Sequence, residues 1–199
     1  MRVAKGRWAK GLVAAVGLGT VWGGAAGAEG FPTSGPGIML SIHATPLHGH
    51  AGPYFSPGNW VMPAGEPIRL TVVNRDDGVS PLPAESQDIR VIGTVHSVEW
   101  VNGKKVVGVP ADRLSHTLTI PDLHLNLPIP AAPPHGAVIV TAWVHVNQVG
   151  RFAWYCAAPC GSGVGGWGGA MARPGYMQGQ VTVLRPLAQV HQARRTEMS

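Results

Sequence analysis

Short runs of alternating or β-branched residues, separated by clusters of proline and glycine, recur along most of this chain. The sequence has 28 Gly and 18 Pro among 199 residues, and almost none of it shows the 3.6-residue period of a helix. Such runs at this spacing are typical of an antiparallel β-sandwich or barrel, and the length fits one domain. We predict strands in eight places: Gly37 to Ala44, Ile68 to Asn74, Ile89 to Val101, Lys104 to Val109, His116 to Ile120, Ala137 to Asn147, Arg151 to Cys156 and Gln180 to Leu184.

A two-residue connection joins the predicted strands that end at Val101 and begin at Lys104. This connection is Asn102-Gly103, a pair that favours the tight turn in which both residues have positive φ. The sequence therefore predicts a β-hairpin here.

Side chains two residues apart lie on the same face of a strand. His116 therefore shares a buried face with Leu118, and Cys156 shares one with Trp154. If the two strands are antiparallel, His116 and Cys156 meet at one end of the core. Because a buried imidazole needs a polar partner and a thiolate needs a positive one, the pair is a candidate metal site. The alternative is a core histidine bonded to a backbone carbonyl and a core cysteine that packs as a small apolar residue.

Charged residues make up only 13% of the chain, about half the usual share in soluble proteins. This composition excludes a coiled coil, a charge-rich disordered chain and most nucleic-acid binders, so we expect no nucleic-acid partner. The net charge of +5 comes largely from four basic residues that precede the first acidic one: Arg2, Lys5, Arg7 and Lys10.

The uncharged segment Gly11 to Ala28 follows these basic residues and ends in Ala-Gly-Ala. This order is typical of a secretory signal peptide, so we expect cleavage after Ala28 and export to the periplasm or the extracellular space. A retained membrane anchor is the alternative. In an oxidising compartment Cys156 and Cys160 are candidates for a disulfide, and two cysteines alone cannot complete a four-thiolate zinc or iron–sulfur site.

Two motifs resemble the exported copper domain of cytochrome c oxidase subunit II. His116 to Leu123, HTLTIPDL, resembles the segment in which a ligand histidine opens a strand ending in Ile-Pro-x-Leu. Cys156 to Gly163, CAAPCGSG, resembles the ligand loop Cys-x3-Cys-Gly-x-Gly. Upstream, Pro63 to Asn74 is similar to the strand that precedes the first ligand in cupredoxins generally. The resemblance covers Pro63 to Leu184 and implies an all-β, cupredoxin-like Greek-key β-sandwich.

The signal-peptide pattern, the composition of the two ends and this resemblance together suggest how the chain is divided. We expect a signal peptide at 1–28, an N-terminal extension with the first strand at 29–62, the cupredoxin-like domain at 63–185 and a flexible tail at 186–199.

The chain departs from the oxidase pattern in its ligand loop. Val164 and Trp167 stand where that family has a histidine and a methionine, and no histidine occurs between Cys156 and His191. About forty residues are also inserted between Asn74 and His116. The second imidazole of a copper centre must therefore come from elsewhere, and the candidates are His43, His48, His50 and His96.

Carried over residue by residue, the resemblance implies His116, Cys156 and Cys160 as metal ligands, together with Met177 or Met171. We favour Met177 because it lies just before the closing strand. A donor set rich in soft sulfur favours copper(I) over zinc or hard cations, so we expect copper, as one or two ions.

Three functions stay open at this point. The first is an exported copper-binding protein in electron transfer or copper delivery, with a redox protein, a copper donor or acceptor, or a membrane-associated respiratory complex as partner. The second is a copper-free structural or docking module with a Cys156-Cys160 disulfide. The third is an enzyme, either a small copper reductase or oxidase or a component like oxidase subunit II, although the sequence shows no catalytic residues.

Overall fold

The computed structural model describes residues 36–44, 52–160, 169–171 and 173–186. These residues form eleven strands: β1 Gly37–His43, β2 Tyr54–Ser56, β3 Asn59–Pro63, β4 Pro67–Asn74, β5 Glu99–Val101, β6 Lys104–Val106, β7 Leu114–Ile120, β8 Leu125–Pro130, β9 Val138–His145, β10 Gly150–Tyr155 and β11 Gln178–Leu184. Single 3₁₀ turns lie between some of them, at Gln87–Ile89, Val95–Ser97, Ala111–Arg113 and Pro121–Leu123. Within the described ranges, no helix is long and apolar enough to span a membrane.

The strands form two sheets that pack as a sandwich around one hydrophobic core. The six-stranded sheet has the order β2-β1-β4-β9-β5-β6, and the five-stranded sheet has the order β3-β11-β10-β7-β8. The predicted all-β sandwich is confirmed. The sheets are mixed rather than purely antiparallel, because β1 runs parallel to β4 and β3 runs parallel to β11.

The predicted strand from Ile89 to Val101 is wrong over most of its length. Only Glu99–Val101 pairs as a strand, whereas Gly93, His96 and Ser97 have φ values of 74°, 61° and 53°. A left-handed backbone cannot continue an extended strand. At Gly93 there is a steric reason as well, since a Cβ atom there would collide with the carbonyl oxygen of His124.

The hairpin predicted at Asn102-Gly103 is confirmed. β5 and β6 pair antiparallel with Val101 opposite Lys104, and the two turn residues have φ values of 48° and 79°. Positive φ at both positions is the geometry that favours an Asn-Gly pair.

Three strands were not predicted: β2, β3 and β8. The proline content of β8 hides its strand character, since Pro128 and Pro130 lie within it. The structure accommodates them because β8 is an edge strand, where a residue without a backbone N–H need not interrupt a ladder.

Tryptophan packing closes the core near the start of β11. The Trp154 ring lies 4.7 Å from that of Phe55 and 5.4 Å from that of Trp60, measured between centroids. The Trp154 Nε1 donates a hydrogen bond to the carbonyl oxygen of Gly58 at 2.8 Å. Gly179 lies opposite Trp154 on β11, where any side chain would intrude on this contact.

We expect Gly179→Ala to destabilise the fold by about 3 kcal/mol, at the upper end of what overpacking costs. A Cβ atom at this position would lie 2.6 Å from the Trp154 Nε1 and would also overlap the Gly58 carbonyl. Chemical denaturation followed by tryptophan fluorescence measures the loss. Gly37→Ala is the matched control, because its Cβ would make only ordinary contacts at 3.6 Å or more in another strand. Equal stability of the two variants would contradict the tight packing at Gly179.

Candidate metal centre

Three buried side chains converge at one end of the core. One ring nitrogen of His116 and the sulfur atoms of Cys156 and Cys160 all lie within 4.8 Å of one another. The exposed fractions of the three residues are 0%, 0% and 1%. The structure thus brings together His116 and Cys156, each of which the sequence placed on the buried face of its own strand, with the second cysteine of the loop beside them.

Neighbouring strands hold the first two of these residues. β7 carries His116, and Cys156 directly follows β10, which pairs antiparallel with β7. The backbone N–H of Thr117 donates to the Cys156 sulfur at 3.3 Å. The Thr117 hydroxyl accepts a hydrogen bond from the N–H of Ala157 at 2.7 Å, which ties the start of the cysteine loop to β7.

An irregularity in β7 lies directly before the histidine. The pairing with β8 shifts between Leu114 and His116, so Ser115 is an extra residue in the ladder. Bulges of this kind re-aim neighbouring side chains and occur next to functional sites.

Cys160 contacts two other sulfur atoms. Its Sγ lies 3.1 Å from the Cys156 Sγ and 3.2 Å from the Sδ of Met171. Its backbone N–H donates to the Ala158 carbonyl at 2.7 Å, which closes a short turn between the two cysteines. Both cysteines are free thiols.

The two candidate methionines occupy different places. Met171 is half-buried, and its sulfur reaches the cluster through Cys160. Met177, favoured on sequence, is fully buried in the hydrophobic core, and its carbonyl oxygen accepts a hydrogen bond from the Cys156 N–H at 2.9 Å. The structure therefore brings the Met171 sulfur to the cysteines, while the described contact of Met177 with Cys156 is made by its backbone.

Electrostatics at this centre favour a thiolate beside an imidazolium. Burial alone would raise the pKa of Cys156, but the hydrogen bond with Cys160, the nearby positive charge of His116 and the Thr117 N–H hold it well below its usual range. Burial would lower the pKa of His116, yet its contacts with Asp76 and Cys156 hold it above its ordinary value. The hydrogen bond with Cys156, together with burial, raises the pKa of the Cys160 thiol. Cys156 would therefore be the stronger metal ligand of the two cysteines, because the thiolate is the form that binds metal.

Asp76 was not identified from the sequence. Its Oδ2 lies 2.9 Å from the Nε2 of His116, a residue forty positions further along the chain. No periodicity or spacing relates the two positions, since Asp76 lies at the start of the inserted segment after β4. The contact leaves Nδ1 as the histidine nitrogen available for a metal.

The other histidine candidates do not join this cluster where the structure describes them. His43 lies on β1 and stacks on Tyr54 with a centroid distance of 4.9 Å. His96 lies in the 3₁₀ turn Val95–Ser97. His48, His50, Val164 and Trp167 lie outside the described residues.

The residues present fit a copper ion. The Nδ1 of His116 is buried and has no hydrogen-bond partner among the described residues, an arrangement that is costly unless the atom binds something else. The two cysteine sulfurs lie within 4.8 Å of a ring nitrogen of His116, the Met171 thioether lies against Cys160, and soft ligands of this kind select copper(I). His116, Cys156 and Cys160 would hold the ion, with Met171 as a further sulfur ligand.

Comparisons with known proteins found structural neighbours only. No family model matches, and no curated protein matches. Rusticyanin from Thiobacillus ferrooxidans is 16% identical, with 76% of this chain and 79% of that chain covered and a TM-score of 0.34. Reduced rusticyanin is 14% identical, with 76% and 81% covered and a TM-score of 0.33. A variant of amicyanin in its reduced Cu(I) form is 12% identical, with 77% and 87% covered and a TM-score of 0.30.

Proposed function

We propose that this chain is a cupredoxin-like copper protein that serves in electron transfer or copper delivery. The single observation that carries the proposal is the buried cluster of His116, Cys156 and Cys160, whose ligand atoms lie within 4.8 Å of one another. The motif resemblance to the copper domain of cytochrome c oxidase subunit II supports it, because the same three residues are the ones that the resemblance implies as ligands.

The donor set differs from that of the oxidase domain in its balance of nitrogen and sulfur. His116 is the only imidazole in the cluster among the described residues, and three sulfur atoms accompany it. Sulfur-rich coordination stabilises copper(I) relative to copper(II). The proposed site therefore binds copper(I) tightly, and bound copper would supply a one-electron couple.

Copper titration tests the proposal. The reduced full-length protein should take up copper(I) in competition with a colorimetric chelator, and the oxidised complex should show a thiolate-to-copper absorption band. Failure of the fully reduced protein to bind copper would overturn the proposal. Reversible oxidation without loss of the ion would support electron transfer, whereas rapid transfer of copper(I) to a chelating acceptor would support delivery.

The copper-free module is the alternative that one observation favours. The two cysteine sulfurs are 3.1 Å apart, and an oxidant that removed two electrons and two protons from the pair would join them as a disulfide with an S–S length of about 2 Å. Mass spectrometry of the protein as isolated, with and without alkylation, reports which state is present. An oxidised pair that takes up no copper after full reduction would assign the chain to this class.

Export and the nature of the partner are parts of the same proposal. We infer that the chain is exported after cleavage behind Ala28, in a segment outside the described residues. The intact mass of the protein recovered from the exported fraction tests this inference. The partner we propose is a redox protein or a copper donor or acceptor, with a membrane-associated respiratory complex as one such partner.

A pair of methionine variants tests which thioether serves the site. We expect Met171→Leu to lower the copper(I) affinity about tenfold and to shift the copper reduction potential, because its sulfur lies at 3.2 Å from Cys160. Met177→Leu is the matched control, a nearly isosteric change in the core that should cost less than about 1.5 kcal/mol of stability. Chelator competition and voltammetry measure both. If the copper(I) affinity and the reduction potential were unchanged in Met171→Leu but shifted in Met177→Leu, Met177 would be the ligand instead.

A further inference from the structure

Asp76, a residue of the segment inserted between Asn74 and His116, contacts the proposed copper site through the His116 ring. Its Oδ2 lies 2.9 Å from the Nε2 of the fully buried His116, while its own side chain is 15% exposed. A buried histidine that binds metal through one nitrogen commonly donates its other N–H to a carboxylate. Such a carboxylate orients the imidazole ring and makes it a stronger electron donor.

A network of hydrogen bonds holds Asp76 in this place. Its Oδ1 accepts from the backbone N–H of Gly78 at 3.0 Å, so both carboxylate oxygens are occupied. Its backbone N–H donates to the Oδ1 of the buried Asn74 at 2.9 Å. Its carbonyl oxygen accepts from the Ala132 N–H at 2.9 Å and from the Asn74 amide at 3.2 Å.

Asn74 extends this network to the strand beside the histidine. Its side-chain amide also donates to the carbonyl oxygen of Pro130, the last residue of β8, at 2.9 Å. β8 pairs with β7 next to the site, and His116 lies opposite Ile129. The end of β4, the loop that carries Asp76 and the strand that carries His116 are therefore connected by hydrogen bonds.

We propose that Asp76 is a positioning residue of the copper site, which fixes the His116 ring so that Nδ1 faces the two cysteines and lowers the copper reduction potential through its negative charge. This inference rests on the proposed copper function. The orientation follows from the contact itself, because the bond at Nε2 leaves Nδ1 buried and without a hydrogen-bond partner among the described residues. The effect on the potential follows because a negative charge near the ion stabilises copper(II) more than copper(I).

Two variants separate orientation from charge. Asp76→Asn keeps the size of the side chain and an oxygen that can accept from Nε2 but removes the charge. We expect the ratio of its copper(II) affinity to its copper(I) affinity to fall about tenfold from the wild-type ratio, which corresponds to a rise in reduction potential of about 59 mV. Asp76→Glu keeps the charge but displaces the carboxylate by one methylene. We expect it to lower the copper(I) affinity about tenfold, in line with the loss of an outer partner.

The neighbouring Asp77→Asn is the matched control, since Asp77 is exposed and the substitution removes the same charge. Voltammetry, chelator competition and electron paramagnetic resonance of the copper(II) form measure all three variants. A potential for Asp76→Asn equal to that of Asp77→Asn would overturn the charge effect. An Asp76→Glu protein with wild-type copper affinity and spectrum would overturn the positioning role. If the asparagine variant does not fold, the glutamate variant tests the positioning role by itself.

The outcomes for Asp76 and for the copper function are distinguishable. If the wild-type protein binds copper and both Asp76 variants have the wild-type copper affinity and reduction potential, only the positioning role is contradicted. Wild-type protein that binds no copper would contradict the proposed function, and the role of Asp76 with it.

Discussion

We expect Cys156→Ser to abolish the thiolate-to-copper absorption band of the proposed site and to lower its copper(I) affinity by more than about 100-fold. That loss exceeds the 10- to 100-fold that is typical of removing a residue that only hydrogen-bonds to a metal ligand, because the substitution removes the proposed ligand itself. Cys156 is the cysteine whose pKa the surroundings hold well below its usual range, with His116 and the Thr117 N–H among the causes. A serine hydroxyl stays protonated at neutral pH and is a hard oxygen donor, so it cannot replace a thiolate for copper(I).

Cys160→Ser is the comparison for this prediction. Its thiol has a raised pKa, and replacing it leaves the Cys156 thiolate and His116 in place. We expect this variant to keep a weaker and shifted band, with a smaller loss of affinity. Far-ultraviolet circular dichroism checks that both variants fold. A Cys156→Ser protein that keeps the band while Cys160→Ser loses it would show that the roles of the two cysteines are reversed.

We expect the stability of the wild-type protein to fall, relative to that of a Glu99→Gln variant, by about 4 kcal/mol between pH 5 and pH 8. Glu99 begins β5 and is 0% exposed, and within the part of the chain that the structure describes neither of its carboxylate oxygens has a hydrogen-bond partner. Burial raises the pKa of Glu99 from 4.5 to about 9. An isolated carboxylate in an apolar interior is costly, so the folded protein keeps this group protonated at neutral pH.

The sign of the effect follows from proton binding. Between pH 4.5 and about 9 the folded state holds a proton at Glu99 that the unfolded state has released, because of the raised pKa in the fold. Stability therefore decreases as the pH rises through this range, with a slope of about 1.4 kcal/mol per pH unit. Glutamine does not titrate, so the variant lacks this contribution. His116 and Asp76 titrate in both proteins, and their contributions cancel in the difference.

Chemical denaturation at several pH values measures this difference. Glu66→Gln is the matched control, since Glu66 is exposed and the same substitution should leave the pH profile of stability unchanged. Parallel profiles for wild type and Glu99→Gln would mean that the Glu99 carboxyl is solvated or paired in solution.

The sequence predicts much of the sandwich because strand period and turn chemistry are local properties. Alternation placed His116 and Cys156 on buried faces, and the Asn102-Gly103 pair predicted the hairpin between β5 and β6 that the structure confirms. Local patterns failed where the fold overrides them. Residues 89–98 have β-branched side chains but an irregular backbone, and β8 is a strand although it contains Pro128 and Pro130.

The proposed site, like the fold, could be predicted from the sequence only in part. The types and order of its ligands are present in two short motifs, so His116, Cys156 and Cys160 could be named as candidates from the sequence. The sequence favoured Met177 over Met171 because Met177 lies just before the closing strand, but position along the chain does not show which sulfur reaches the cysteines. The structure distinguishes them by contact, with the Met171 sulfur against Cys160 and the Met177 carbonyl against the Cys156 N–H.

What the sequence alone determined is the all-β class, the burial of His116 and Cys156 and the sulfur-rich character of the proposed donor set. These follow from two-residue alternation and from residue types within short segments. Only the tertiary structure decided that Asp76 bonds His116 across forty positions, that Met171 reaches Cys160 and that Glu99 has no hydrogen-bond partner among the described residues. The physical reason is that pairing and burial depend on which distant segments pack together, and no local periodicity records that packing.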